Sequence, residues 1–196
     1  MIPVKIKRLH PDAVIPQYAT TGSAGFDLVA IEDVAISPGE TKKVPLGLAF
    51  EIPEGFVVLV CMRSGIALNT ELRQSNGIGI IDSDYRGEVA MMFDNIAEKE
   101  PFIAYDSDYD YEKGKTIETD YRIEYPITGC LRTISGELVR GELWRYYPEE
   151  TYLIRKGDRV AQGLILPVMQ AQFIVADELS ETERGAGGFG STGVSV

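Results

Sequence analysis

The chain has 196 residues and a formal net charge of −11 at pH 7, a length that fits one domain, or one domain plus a subdomain. Apolar residues make up 44% and charged residues 25%, which is typical of a globular protein. The acidic balance disfavours non-specific nucleic-acid binding, because a phosphate backbone needs a basic face, although Mg²⁺ and a few arginines can still gather a polyphosphate locally.

Cysteine and histidine are scarce. Cys61 and Cys130 have no metal-type spacing and indicate no disulfide framework, so a reducing compartment fits best. Because the chain has one histidine, His10, a His-rich metal site is excluded. His10 precedes Pro11 in a loop-like stretch and is expected at the surface. The N-terminus alternates like an edge strand, so no signal peptide is expected. No run approaches the roughly 18 apolar residues of a membrane span, so no span is predicted.

The first sixty residues read as short strands separated by turns. Proline and glycine predict turns at residues 37–40 and 52–55. The expected strands are rich in β-branched and aromatic residues and lie at residues 4–9, 26–30, 41–50 and 56–60. This pattern favours an all-β sandwich, barrel or jelly roll.

The next stretch, from Cys61 to Leu68, ends that run of strands. Ser64 is predicted to cap a short helix that continues through Ala67 and Leu68. The Ser64 hydroxyl and nearby backbone N–H groups would then point at one spot and make an anion site. A plain helix cap without a ligand is the alternative.

Residues 79–93 are predicted to form a β-hairpin with Asp82 at its tip. Ile80 and Ile81 are β-branched, and the glycines at both ends of residues 79–87 permit sharp bends or close backbone approach. A carboxylate on a rigid hairpin, with the ring of Tyr85 three residues on, suits a general base beside a ligand. A plain polar β-turn is the alternative.

Residues 98–150 differ in character from the rest. They carry more than half of the net negative charge, together with Trp144 and seven of the ten tyrosines. Aromatic residues at this density favour a folded insertion over disorder. Alternation over residues 119–125 predicts at least one strand there.

The C-terminal part returns to strand patterns and ends in a glycine-rich tail. Gln162 is expected to be buried in an apolar run, where it must be a structural hydrogen-bonding group or a ligand contact. Residues 173–175 are interpreted as the last core strand. The tail over residues 184–193 lacks the Gly-Lys-Ser/Thr of a Walker loop. It is either a flexible linker or a segment that wraps a polyphosphate and stacks a phenylalanine on a base.

Five stretches taken together resemble the five ordered motifs of the homotrimeric dUTPase family. They lie at residues 24–28, 63–65, 76–87, 157–162 and 184–193. The third and fifth are specific, and all five occur in the family's order. The resemblance covers about residues 1–97 and 151–196. The departures are the insertion at residues 98–150, similar to that of some phage-encoded members, and Gly163, where the family usually has an apolar residue.

The resemblance implies an all-β, dUTPase-like jelly-roll or β-barrel protomer and a threefold trimer. Its core would be residues 1–97 and 151–183, with an inserted subdomain at 98–150 and a flexible closing arm at 184–196. The implied reaction is Mg²⁺-dependent hydrolysis of dUTP to dUMP and pyrophosphate, at sites that draw motifs from all three chains. The expected location is the cytoplasm, that of the host cell if a phage encodes the protein.

The resemblance also implies roles for individual residues. Asp82 would activate a water for in-line attack on the α-phosphorus, and Tyr85 would pack against the deoxyribose. Phosphates and waters would hold Mg²⁺, with Asp27 reaching those waters. Uracil would be read by Asn76, Gly77, Ile78 and Gly79. Phe189 would stack on uracil. The remaining expected substrate contacts are Arg63, Ser64, Gly65, Gln162, Arg184, Gly190, Ser191 and Thr192.

Two rival functions remain open at this point. A dCTP deaminase shares the fold but usually lacks a tail like the one that holds Arg184 and Phe189. The other rival is an interaction protein on the same scaffold, against which the intact Asp82 and Tyr85 argue. The two activities are compatible, because the insertion at residues 98–150 is suited to binding a repressor-type protein and is expected to contribute no catalytic group. Packing on its own trimer is the alternative for this insertion.

Overall fold

The computed structural model describes residues 2–98, 102–110, 115–124, 127–128, 130–140, 147–188 and 191. Almost all of its regular structure is β, which confirms the predicted fold class. The N-terminal elements are β1 (Lys5–Arg8), β2 (Phe26–Val29), β3 (Val34–Ile36), β4 (Thr41–Glu51), β5 (Phe56–Met62), α1 (Ser64–Asn69), β6 (Leu72–Gln74), β7 (Gly79–Ile81) and β8 (Val89–Asn95). The later strands are β9 (Phe102–Asp110), β10 (Lys115–Glu124), β11 (Ile127–Thr128), β12 (Cys130–Thr133), β13 (Leu138–Arg140), β14 (Tyr147–Pro148), β15 (Tyr152–Ile154) and β16 (Arg159–Pro167).

Three four-stranded sheets share one hydrophobic core. Their strand orders are β1-β4-β8-β6, β2-β16-β5-β7 and β13-β12-β15-β3. Alternate residues of β8, namely Val89, Met91 and Phe93, are buried, as the two-residue period of a strand with one core-facing side requires. The described strands form a jelly-roll-class fold without a closed barrel. No helix in the described ranges is long and apolar enough to cross a membrane.

The predicted N-terminal strands and turns are confirmed. Both turns contain a glycine with positive φ, Gly39 at 74° and Gly55 at 79°, and backbone hydrogen bonds close them. His10 is exposed, as expected from its loop-like sequence.

Gly163, the smaller departure from the family pattern, has a packing reason. A Cβ at this position would lie 2.3 Å from the ring of Phe26, which is itself buried. Only glycine leaves room for the aromatic ring against β16, so the apolar side chain usual in the family would displace Phe26 from the core.

The predicted hairpin around Asp82 is wrong in its pairing. The strand β7 pairs with β5 in one sheet, whereas β8 pairs with β4 and β6 in another. Residues 82–88 therefore cross between two sheets. Short-range patterns identify both strands correctly, but they do not indicate which distant strands compete for pairing.

The strand predicted at residues 173–175 is also wrong. These residues have no strand structure, and Phe173, Ile174 and Val175 are 94%, 82% and 98% exposed. Their apolar character is typical of a strand, but no described strand of this chain pairs with them and the described residues leave them uncovered.

The stretch at residues 98–150 contributes strands of two kinds. Among the described strands, β9 and β10 pair only with each other, and β10 confirms the strand predicted near residues 119–125. In contrast, β12 pairs in parallel with β15, and its residues Leu131 and Thr133 are both 1% exposed. The part over residues 130–140 therefore extends a sheet of the core.

A buried asparagine at the end of β8 ties the two ends of this stretch together. Asn95 Nδ2 donates hydrogen bonds to the carbonyl oxygens of Ile36, at 2.9 Å, and Glu150, at 2.8 Å. Asn95 Oδ1 accepts one from the backbone N–H of Ala97 at 3.1 Å. One side chain thus links β3, β8 and the turn before β15.

Replacing this side chain is expected to destabilise the fold. Asn95→Ala leaves two carbonyls without their donor and one N–H without its acceptor, which should cost about 2–3 kcal/mol of the free energy of unfolding. Urea denaturation at one fixed protein concentration measures the loss. Asn69→Ala, at the exposed end of α1, is the matched control. A loss at Asn95 no greater than that at Asn69 would contradict this role.

Candidate functional site

The first candidate site is a depression of about 480 Å³ beside α1, here named the α1 depression. Its lining residues come from the β5–α1 junction, α1, the β12–β13 turn and the start of β16, and they are Arg63, Ser64, Gly65, Ile66, Asn69, Ile134, Ser135, Gly157, Asp158, Arg159 and Gln162. Four residues expected from the sequence meet here, namely Arg63, Ser64, Gly65 and Gln162. Ser64 and Gln162 add polar side chains to the Arg63 guanidinium.

Strand register explains why these side chains converge. In the sheet, Gln162 on β16 lies opposite Asp27 on β2 and opposite Cys61 on β5. The expectation that Gln162 is buried is wrong. Its neighbours Ala161 and Gly163 face the core, and the alternation of the strand leaves Gln162 exposed at the depression.

Asp27 joins two arginines at the edge of this site. Its Oδ2 accepts a hydrogen bond from Arg159 Nη1 at 3.1 Å, and its Oδ1 lies 3.3 Å from Arg63 Nε. Arg63 Nη1 in turn donates to the carbonyl of Arg159 at 3.2 Å. The carboxylate, with 18% of its side chain exposed, therefore fixes the direction of both guanidinium groups.

The role expected for Ser64 as a helix cap is wrong. Arg63 occupies the N-cap position, with extended backbone angles (φ −76°, ψ 137°), and no side chain caps the helix. The chain enters the helix one residue earlier than predicted, so Ser64 is the first helical residue. Its hydroxyl is exposed and is not used as a cap, which leaves it for the depression.

The second candidate site is a depression of about 280 Å³ at the turn between β7 and β8, here named the Asp82 depression. It includes Asn76, Gly79, Asp82 and Tyr85, together with Glu88. Asp82 is exposed, and its carbonyl accepts a hydrogen bond from the Tyr85 backbone N–H at 3.2 Å, so main-chain contacts hold the turn.

The Tyr85 ring is held by its own turn. Its hydroxyl donates to the carbonyl of Glu88 at 3.1 Å, and a Cβ at Gly87 would lie 2.3 Å from that hydroxyl oxygen. Glu88 Oε1 also accepts a hydrogen bond from the backbone N–H of Gly47 at 3.0 Å. The aromatic face beside Asp82 is therefore supported from the sheet below.

The turn at Asn76 depends on a residue that the sequence analysis missed. Gln74 Nε2 donates to the carbonyl of Val60 at 2.9 Å, while Gln74 Oε1 accepts from the N–H of Met62 at 2.9 Å. The side-chain amide thus bonds to the main chain of β5 at the end of its pairing with β7, where Val60 lies opposite Gly79. Gly77, at φ 70°, and Ile78 complete the turn beside the Asp82 depression without lining it.

A carboxylate on β8 steadies the same turn. Ser75 Oγ donates to Asp94 Oδ1 at 2.6 Å and Thr41 Oγ1 donates to the same oxygen at 2.7 Å. These hydrogen bonds, that of Ser75 foremost, lower the pKa of Asp94 below its ordinary value. The loop before Asn76 is therefore tied to the sheet through a charged group.

The described residues of the C-terminal arm line neither depression of their own chain. Neither depression is lined by Arg184 or Ser191, and Arg184 Nε donates to the carbonyl of Gly187 at 2.8 Å. The other expected arm contacts, Phe189, Gly190 and Thr192, lie outside the described residues. Within one chain the structure thus separates the expected site residues into three groups.

Two lining residues come from the stretch at residues 98–150, which is expected to contribute no catalytic group. Ile134 and Ser135 belong to the turn between β12 and β13, inside residues 98–150. No sequence signal marks this turn as part of the site, because its position depends on the parallel pairing of β12 with β15.

The fold and the two depressions define a class. An all-β protein with one arginine-lined depression, and a second that sets a carboxylate beside an aromatic ring, is built to hold a phosphorylated organic ligand.

Comparison with known proteins specifies the family. A family model described as dUTPase matches residues 12–105 and 147–193. The deoxyuridine 5'-triphosphate nucleotidohydrolase of Nautilia profundicola is 38% identical over 190 residues, covering 97% of this chain and 98% of that protein. The chain belongs to the dUTPase family and is an enzyme of that family.

Two solved structures are similar in fold. The dUTPase of Staphylococcus bacteriophage 80alpha with dUpNHpp has a TM-score of 0.80 and 29% identity, covering 99% of this chain and 100% of that one. A mutant dUTPase from phage phi11 of S. aureus, described with a structural Mg(II) ion, has a TM-score of 0.70 and 26% identity, covering 90% of this chain and 98% of that one.

Proposed function

We propose that the protein hydrolyses dUTP to dUMP and pyrophosphate at sites assembled between the chains of a homotrimer. One observation carries the proposal. The α1 depression and the Asp82 depression share no lining residue, yet each has the groups for one half of a nucleotide. A site completed by a neighbouring chain would bring the arginine-lined half to the half that contains Asp82.

Asp82 is the general base of the proposed reaction. Its exposed carboxylate stands on a turn fixed by main-chain hydrogen bonds, so it can take a proton from a water at a constant position. The water oxygen bonds to the α-phosphorus, the bond from that phosphorus to the bridging oxygen breaks, and pyrophosphate leaves. The water's proton passes to Asp82.

The Asp82 depression would receive the nucleoside. The supported ring of Tyr85 would lie against the deoxyribose and leave no room for a 2′-hydroxyl. Asn76 and the backbone of Gly77, Ile78 and Gly79 would hydrogen-bond uracil. Because a polar site penalises a base that leaves its groups unpaired, this end would discriminate against cytosine.

The α1 depression would receive the phosphates. Arg63 would bring positive charge, oriented by Asp27, while Ser64, Gly65 and Gln162 would contact phosphate oxygens. A Cβ built at Gly65 would have nothing within 4 Å, so the backbone there is open to a ligand.

The residues present fit a Mg²⁺ ion that is held mainly by the substrate. Asp27 Oδ1 lies 3.3 Å from Arg63 Nε but accepts no hydrogen bond from the described residues, so it keeps acceptor capacity for a water of the ion. Across the described ranges no three acidic, His or Cys side chains gather to hold a metal directly. When bound, Mg²⁺ neutralises charge on the phosphates and on the leaving group.

The arm would close over the site of a neighbouring chain. The apolar segment before the arm, with Phe173 and Val175 more than 90% exposed, is left uncovered by the described residues of its own chain and would pack on another chain. Arg184, Ser191 and Thr192 would then reach the γ-phosphate, with Phe189 and Gly190 against uracil.

Pyrophosphate release from dUTP, with dCTP and dTTP as controls, tests the proposed function. We expect turnover of dUTP at least about 100-fold more efficient than that of either control, because the controls leave polar groups unpaired or carry a methyl group that does not fit. Release of ammonia from dCTP would instead indicate a deaminase. A folded protein that hydrolyses none of the three would refute the proposal.

Binding of a repressor-type protein through residues 98–150 is a second candidate function. The pairing of β9 and β10 only with each other among the described strands favours it, because this hairpin extends no sheet of the core. The stretch is acidic and rich in aromatic residues, which suits a basic protein surface. Affinity capture with and without the hairpin would separate this activity from hydrolysis.

A further inference from the structure

The turn between β12 and β13, here named the 133–137 turn, forms one wall of the α1 depression. Ile134 and Ser135 line that depression, and they are the only described residues of the 98–150 stretch that do so. The five motifs include none of these residues, so the motifs do not account for this wall.

The 133–137 turn has a fixed shape. The backbone N–H of Thr133 donates to the carbonyl of Glu137 at 2.8 Å, and that of Gly136 donates to the carbonyl of Thr133 at 2.9 Å. Gly136 has φ 90°, a left-handed conformation that glycine adopts without strain. The turn is therefore a tight β-turn with a defined direction for Ser135.

The same turn is anchored to another wall of the depression. Arg155 Nη1 donates to Glu137 Oε2 at 2.9 Å, which links the 133–137 turn to the turn before β16. That second turn contains Gly157 and Asp158, and both line the depression. The parallel pairing of β12 with β15 sets the two turns side by side. Ser135 is consequently held at the depression by the core sheet.

The hydroxyl of Ser135 can donate outward from the turn. Thr133 Oγ1 accepts a hydrogen bond from the Glu137 backbone N–H at 3.0 Å and lies 2.9 Å from Ser135 Oγ. Either hydroxyl can be the donor of this hydrogen bond; when the buried Thr133 hydroxyl donates, Ser135 Oγ is the acceptor. The exposed Ser135 hydroxyl then has its own proton free for an acceptor in the depression.

We infer that Ser135 is a phosphate-contacting residue of this site, supplied by the 98–150 stretch. The acceptor that suits an outward O–H in a depression shared with Arg63 and Arg159 is an anionic oxygen, hence an oxygen of the phosphate chain or of the pyrophosphate product. The inference rests on the proposed function for the identity of the nucleotide, but the anion contact itself requires only the geometry described.

Charge substitutions at Ser135 test the inference. Ser135→Glu should raise the KM for dUTP and the inhibition constant of inorganic pyrophosphate about tenfold, because it sets a carboxylate among the phosphates. Ser135→Lys should lower the inhibition constant of pyrophosphate several-fold, and Ser135→Ala should raise it about three- to fivefold. Inhibition by deoxyuridine, which has no phosphate, should change less than twofold in all three variants.

Leu138→Glu is the matched control. Leu138 is 52% exposed, lies three residues further along on β13, and does not line the depression. We expect its pyrophosphate inhibition constant to stay within twofold of the wild type. Equal effects of glutamate at both positions, or weakening by both Ser135→Glu and Ser135→Lys, would overturn the inference.

The outcomes also separate this inference from the proposed function. A protein that hydrolyses dUTP but is insensitive to charge at Ser135 would refute the inference alone. A protein that does not hydrolyse dUTP, but binds pyrophosphate more weakly after Ser135→Glu, would refute the function and support the inference. Calorimetric titration with pyrophosphate provides this second measurement without turnover.

Discussion

The Asp82→Asn variant is expected to fold and bind nucleotide normally but to lose about 10²–10⁴-fold in kcat for dUTP. The reason is chemical, because asparagine keeps the shape of the side chain but cannot accept the proton of the attacking water. The turn itself should survive, since Asp82 takes part in it through its backbone carbonyl. Steady-state kinetics together with binding of a non-hydrolysable dUTP analogue measures both properties.

The neighbouring acid in the same turn offers the control. Asp84 is exposed, two residues from Asp82, and does not line the Asp82 depression. Asp84→Asn makes the same change of charge in the same turn, and its kcat should stay within about threefold of the wild type. If Asp82→Asn also stayed within threefold, Asp82 would not be the base.

A chain truncated after Glu183 is expected to fold but to lose at least about two orders of magnitude in kcat/KM for dUTP. Removal of residues 184–196 takes away Arg184 and the hydroxyl groups proposed to hold the γ-phosphate. It should cost little stability, because Arg184 makes its described side-chain hydrogen bond within the arm itself. A chain ending at Gly193, which keeps the whole motif, is the control and should retain activity.

Mixing two inactive variants extends this experiment to the assembly of the site. If neighbouring chains supply the arm and the Asp82 depression of one site, Asp82→Asn chains mixed with truncated chains should recover part of the activity. The recovery depends on exchange of chains, which mass measurement of the mixed oligomers verifies. No recovery after verified exchange would indicate sites contained within single chains.

Local patterns predicted the strands better than they predicted their partners. Alternation, β-branching and Pro-Gly turns located β4, β5, β7 and β8 because these signals act over a few residues. The partner of β7 is β5, about twenty residues away in sequence, and nothing near Asp82 encodes that choice. A hairpin is therefore the simplest interpretation of two adjacent strands. It is wrong because distant strands pair with β7 and β8 in place of each other.

Errors at single residues have the same origin. An apolar run suggested a buried Gln162, but the alternation of β16 is set by which neighbours face the core. The sequence at residues 173–175 is apolar enough for a core strand, yet a strand also needs a partner, and none of the described strands provides one. Ser135 was missed because only the pairing of β12 with β15 brings it to the α1 depression.

The contacts of Asn95 with both Ile36 and Glu150 create a place where the chain can change length over evolution. When the two ends of a segment are already held together, the entropy of closing it grows only slowly with the number of residues between them. The hairpin of β9 and β10 can therefore be gained, lost or exchanged without shifting the register of any core sheet. The 133–137 turn lacks this freedom, because a change there moves the wall of the site. Divergence within residues 98–150 should accordingly be fast in the hairpin and slow at Ser135.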